Sequence, residues 1–155
     1  MVLNVNRTNI RLNPDFKKVI ARFFNTGNER SQALINRIVE MPDSEVENLL
    51  KQILFEFAGR YRDIQAIFIK HFELIKYLIP EAVFLVLSKE KKLLIGSYFT
   101  MEYSIEAAAL FNPSVVEDPD QSGAAKGEMK VIVSFRATGE SHISSLIFKR
   151  GTLNE

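Results

Sequence analysis

The hydrophobic period of this chain changes once, near residue 105, and that change limits it to a fold with a helical part followed by a sheet part. Before the change, apolar residues recur at helical spacing. They are Leu34, Ile35, Ile38 and Val39, then Val46, Leu49, Leu50, Ile53, Leu54 and Phe57, then Ile64, Ile67, Phe68, Phe72, Ile75, Leu78 and Ile79. Such spacing gathers each group into one stripe along a helix. After the change, Val131, Val133 and Phe135 alternate with Lys130, Ile132, Ser134 and Arg136, the two-residue period of a strand. The expected fold class is α+β, with an antiparallel helical N-terminal module over residues 1–104 and a β-hairpin segment over 105–155.

Local signals sharpen this expectation. Residues 31–104 read as helical, and Ser44 with Glu47 has the spacing of a capping box, which predicts a helix start at Ser44. Gly59 offers a stop, Pro80 ends the third stripe, and Leu93, Leu94, Tyr98 and Phe99 predict one more helix before Ser104. The stretch Val19 to Phe24 fits either a lone strand or the start of a helix. A second strand of the hairpin is expected over His142 to Phe148, after the turn residues Thr138-Gly139-Glu140-Ser141, and Glu117 to Gly127 reads as an exposed loop. A two-stranded ribbon is marginal in water and leaves open edges. Either the helical layer covers it or it opens a larger sheet structure, and the second is the stronger expectation.

Composition narrows the function classes. A chain of 155 residues with 46% hydrophobic and 25% charged residues is globular and the size of one ordinary domain. A net charge of +1 gives no basic surplus, so no nucleic-acid partner is expected. No run approaches the roughly 20 apolar residues of a membrane span, so no membrane partner is expected and the location reads as cytoplasmic. The absence of cysteine excludes thiol catalysis and disulfides. Two distant histidines give no zinc spacing, and Glu117-Asp118-Pro119-Asp120 lacks the positions of a calcium loop, so no metal or other cofactor is expected.

The polar residues that stand out are Asn112, Ser114 and Arg136. Arginine suits sugar or carboxylate recognition through its planar donors, and equally suits an ion pair with a neighbour such as Glu140. Asn112 precedes Pro113, which fits either a ligand-facing amide or an ordinary turn. His71 interrupts an apolar stripe and reads as a hydrogen-bonded core residue. His142 lies near Glu140 and Ser141, but strand neighbours alternate sides and do not converge into a catalytic trio. Phe55, Phe57, Tyr61, Phe68, Phe72 and Tyr77 read as core, with a partner-binding groove as the alternative.

At Asn112-Pro113-Ser114 and Phe135-Arg136-Ala137 the chain resembles glycoside hydrolase family 130, the mannoside phosphorylases and related hydrolases. The likeness runs from Phe55-Glu56-Phe57-Ala58-Gly59-Arg60-Tyr61-Arg62-Asp63 through Gly96 to Ser104 and on to Ile147, and its most specific parts are Tyr98 to Ser114 and Arg136 to Ser145. The resemblance implies a helical N-terminal extension followed by an incomplete first blade of a five-bladed β-propeller. It also implies that Asn112, Ser114 and Arg136 hydrogen-bond mannosyl hydroxyls. The family's reaction inverts the anomeric carbon, with phosphate as co-substrate or water attacking while an aspartate supplies the leaving-group proton. Neither that aspartate nor the cationic phosphate cluster maps onto this chain, and Asp118 stands on the wrong side of the Arg136 strand to serve as the acid. The expectation is therefore a sugar-binding portion, inactive alone, of a longer protein. Its expected partners are a mannoside-type carbohydrate and either a homo-oligomer or a full-length relative. The competing expectations are a stand-alone helical interaction module and a residual carbohydrate-binding module.

Overall fold

The computed structural model of the chain describes residues 9–140 and 143–154. The elements run β1 (Val19–Phe23), α1 (Asn28–Glu40), α2 (Asp43–Phe57), α3 (Ile64–Ile75), α4 (Glu81–Val86), α5 (Lys89–Tyr98), β2 (Thr100–Ser104), β3 (Ala109–Glu117), β4 (Glu128–Thr138) and β5 (Ser144–Asn154). The class is mixed α+β, with a two-stranded sheet β1-β2 and a three-stranded antiparallel sheet in the order β3-β4-β5. Contacts divide the chain into two compact units, Ala21–Glu102 and Met1–Ile20 with Tyr103–Glu155. Among the described residues no helix is long and apolar enough to cross a membrane.

In the helical unit the sequence stripes become the core. Ile35 and Ile38 of α1, Val46 of α2, Phe72 and Ile75 of α3, and Leu94 and Ile95 of α5 form one buried cluster, while Leu50, Phe68 and Leu93 form a second. The capping box is a correction. Helix α2 starts at Asp43 behind Pro42, no side chain caps it, and Ser44 already lies within the first turn. Proline at φ −57° enters the helix without needing an N–H partner, and Asp43 and Glu45 complement the positive helix start. Helix α3 has a side-chain cap, since Asp63 accepts from the Ala66 N–H at 3.0 Å.

Three further readings change. Helix α3 stops at Ile75 and a single 3-10 turn follows over Lys76–Leu78, so Pro80 does not end it but initiates α4, a helix of six residues that is too short to show a period. The helical reading of 31–104 is corrected at its end, because α5 stops at Tyr98 and Thr100–Ser104 is strand. Val19–Phe23, open to either reading, is strand as well, and it pairs with β2.

In the sheet unit the expected hairpin gains a strand. Residues Ala109–Glu117 pair with β4 along its length, whereas Pro113 within the run argues against a regular strand on sequence alone. Strand β5 also continues past Phe148 to Asn154. Ser141 and His142 lie outside the described residues. Phe135, Ala137 and Ile147 form the buried side of the sheet, joined by Leu110 and Val133. The segment before β1 belongs to this unit, with Lys149 donating to the Asn13 carbonyl at 2.9 Å and the Ser104 hydroxyl donating to the Phe16 carbonyl at 3.0 Å. Gly139 permits a close approach here, for a Cβ at that position would lie 2.4 Å from the Ser104 carbonyl oxygen.

Candidate functional site

Two of the polar residues singled out in the sequence, Ser114 and Arg136, share the side of the sheet opposite Phe135, and Asn112 sits in an irregularity of β3 just before Ser114. Cross-strand partners share a face, and Phe111 lies opposite Arg136 while Ser114 lies opposite Ser134. Two residues of β3, Asn112 and Pro113, therefore stand against the single Phe135 of β4, which is a β-bulge. The residue types fit this geometry. Asn112 has φ 50°, a left-handed conformation that asparagine tolerates better than most residues, and Pro113 has no N–H for the ladder to lose. In a regular strand Phe111 and Ser114, three positions apart, would fall on opposite faces. With the bulge, Phe111, Ser114, Ser134 and Arg136 all face one way, and Asn112, Ser114 and Arg136 are exposed.

The Arg136 guanidinium lies 5.4 Å from the centroid of the Phe111 ring. Among the described residues it has no carboxylate partner, and Glu140 is not paired with it. The contact that Arg136 makes among the described residues is aromatic, and it engages the guanidinium charge in place of the ion-pair alternative. Across the other strand it faces Leu146, 73% exposed, followed on the same face by Phe148 at 65%. This side of the sheet combines hydrogen-bonding groups with bare apolar surface.

The acidic loop after β3 is engaged differently. Asp118 is buried, with Oδ2 3.0 Å from Arg150 Nε and Oδ1 accepting from the Asp120 N–H. Gln121 pairs with the Lys130 backbone in both directions, accepting its N–H and donating to its carbonyl, as a strand would. A cleft of about 240 Å³ lies here, lined by Asp118, Asp120, Lys130, Arg150, Gly151 and Thr152. Its charges are committed, since Lys130 donates to the Ser122 carbonyl and Asp120, lowered in pKa chiefly by its hydrogen bonds from Ser122, holds that residue. The loop is pinned by one buried carboxylate rather than exposed throughout, and Asp118 is occupied in holding it.

Sequence reasoning missed Glu106, which is fully buried and accepts from Lys18 Nζ at 2.6 Å and from the Asp15 N–H at 2.9 Å. It also missed the partner role of Tyr103, whose hydroxyl donates to the Glu140 carbonyl. In the helical unit, the two stretches Phe55 to Asp63 and Gly96 to Ser104 meet at Glu102, which accepts from Arg60 Nε at 2.9 Å and from the Tyr61 hydroxyl at 3.0 Å. Burial and this carboxylate push the Tyr61 pKa up to about 12, so the phenol remains a donor.

His71 is a core residue, with Nδ1 2.7 Å from Thr100 Oγ1 and its ring against Phe23. Because the Thr100 hydroxyl donates its one hydrogen to the Gly96 carbonyl, His71 Nδ1 carries the proton in that contact. Burial, with Lys70 adding repulsion, holds the imidazole below its ordinary value of 6.5. The unfolded chain therefore takes up a proton first, and the stability that neutral His71 contributes is lost as pH falls below about 6.5 toward the lower folded value. Thermal melts at pH 7.5 and 5.5 should show the wild-type chain losing more stability than His71→Gln over that interval. Equal losses would remove His71 as the source. Among the described residues no group of three or more metal-ligating side chains is gathered.

Comparison with protein-family models, with curated proteins and with solved structures finds no match.

Proposed function

We propose that this chain is the N-terminal portion of a mannoside phosphorylase- or glycosidase-like protein of glycoside hydrolase family 130, and that its sheet forms one wall of a mannosyl pocket without catalysing a reaction alone. The observation that carries this reading is the bulge at Asn112-Pro113, which leaves Ser114 and Arg136 on one exposed face beside an aromatic ring. A pyranose presents hydroxyls at its rim and C–H groups on its faces, so donors set beside an apolar surface match it. Arg136 supplies N–H donors, while the Ser114 hydroxyl and Asn112 amide each donate and accept.

In this reading the three residues hold the mannosyl ring in a fixed orientation, which is how a binding wall contributes to glycoside cleavage. Attack by phosphate or water and protonation of the leaving group belong to residues that do not map onto this chain. The strands β3, β4 and β5 are then part of a first propeller blade. The exposed Val116, Leu146 and Phe148 fit that role, because stacked sheets bury such faces against each other.

A titration of the chain with methyl β-mannoside, followed by amide chemical shifts, tests the pocket. Arg136→Ala should weaken binding about tenfold or more, as expected for loss of charge-assisted hydrogen bonds, with the rest of the spectrum unchanged. Equal affinity of the two proteins would take Arg136 out of the site, and release of mannose 1-phosphate at enzyme-like rates would overturn the inactive assignment. The same exposed apolar face favours a second reading, an association surface for a further copy or a full-length relative. Light scattering decides it, since a monomer at high concentration would count against association.

A further inference from the structure

We propose that Phe111 is a positioning residue for Arg136, holding its guanidinium toward β3, the strand that carries Asn112 and Ser114. This rests on the sugar-pocket reading of that face. Arg136 has two directly opposed neighbours, Phe111 on β3 and Leu146 on β5, and both are substantially exposed. Packing against either would cover its aliphatic stem, but only Phe111 offers a ring whose negative face attracts a cation. The guanidinium lies over that ring at 5.4 Å.

The preference has a consequence for binding. A long exposed arginine ordinarily samples many rotamers and loses that freedom when a ligand fixes it, at a cost in affinity. An aromatic neighbour that already biases the side chain toward β3 removes part of that loss. The bulge makes the arrangement possible, because Asn112 and Pro113 take the extra residue directly after Phe111 and return Ser114 to the face of Arg136. A cation over an exposed ring is worth about 0.5–1 kcal/mol, which corresponds to roughly two- to five-fold in affinity.

The test uses the full chain with Phe111→Leu and Phe111→Tyr. One readout needs no ligand: the side-chain protons of Arg136 should be shifted upfield by the ring in the wild-type and Phe111→Tyr proteins and lose that shift in Phe111→Leu. The second is affinity for methyl β-mannoside, expected to fall about two- to five-fold in Phe111→Leu and to be retained in Phe111→Tyr. Arg136 resonances unchanged by Phe111→Leu would overturn the proposal, as would undiminished affinity in that variant. A wild-type chain that binds no mannoside would overturn the pocket reading instead, and the ring-current shift would still decide whether Phe111 holds Arg136. Phe111 is 43% exposed and outside the buried cluster of the sheet, so Phe111→Leu is expected to keep the wild-type amide spectrum elsewhere.

Discussion

Replacing Gly96 with alanine is expected to destabilise the helical unit by about 2 kcal/mol or more, against the direction that helix propensity alone would give. Gly96 sits within α5, where alanine is favoured over glycine by about 1 kcal/mol. Its position decides the opposite sign. A Cβ built there would lie 1.9 Å from the carbonyl oxygen of Phe68 and 2.6 Å from the carbonyl carbon, both backbone atoms of α3. No rotamer change relieves such a contact, so the two helices must move apart and loosen Phe68 and Leu93, which are packed between them. Overpacking of this kind costs about 1–3 kcal/mol and more where backbone must shift, which exceeds the propensity gain. Urea denaturation of wild type and Gly96→Ala measures the difference. Equal or greater stability of the variant would show that α3 and α5 do not approach at this point.

The second large effect is expected at the buried carboxylate of the sheet unit. Glu106 is 0% exposed and receives hydrogen bonds from Lys18 and the Asp15 N–H, while the Lys18 side chain keeps 45% exposure. The two partners should therefore respond unequally. Lys18→Met leaves a buried carboxylate with one remaining donor, a change that costs about 3–5 kcal/mol in a dry site and about 2 kcal/mol here, where water reaches the lysine side. Glu106→Gln keeps an acceptor for the Asp15 N–H and leaves Lys18 free to turn to solvent, so its cost should be about 1 kcal/mol. The double variant should be more stable than Lys18→Met alone, since the uncompensated charge is gone. Chemical denaturation of the three proteins checks the order. If Lys18→Met costs no more than Glu106→Gln, the carboxylate is not held as described.

What the sequence conveyed differs sharply between the two units, for physical reasons. The stripe of Val46, Leu50 and Ile53 needed only helical spacing to be read, because a helix forms its hydrogen bonds within one segment. Strand β3 was hidden by Pro113, whose missing N–H argues against a ladder unless a bulge accommodates it. A bulge is defined by a partner strand 20 or so residues away, so no local pattern in Phe111-Asn112-Pro113-Ser114 reveals it. The start of α2 was misread from the capping-box spacing at Ser44 alone; the helix begins behind Pro42, whose fixed φ already suits helix entry.

The site followed the same logic. Asn112, Ser114 and Arg136 stood out by residue type and by resemblance, but the contact that fixes Arg136 is with Phe111, an ordinary apolar residue by sequence. Glu106 was passed over because a glutamate in a short link reads as a solvated charge. Its partners, Asp15 and Lys18, lie 91 and 88 residues away. Long-range pairing of this kind is invisible to any window of sequence, and it is what makes the segment before β1 part of the sheet unit.

The most direct test of the pocket reading is to map, residue by residue, the amide shifts of the wild-type chain during titration with methyl β-mannoside. The expected result is a saturable change confined to Phe111–Ser114 and the neighbourhood of Arg136 on β4. Shifts that gather on the helices, or a spectrum unmoved up to high ligand concentration, would contradict a mannosyl-binding face on this sheet.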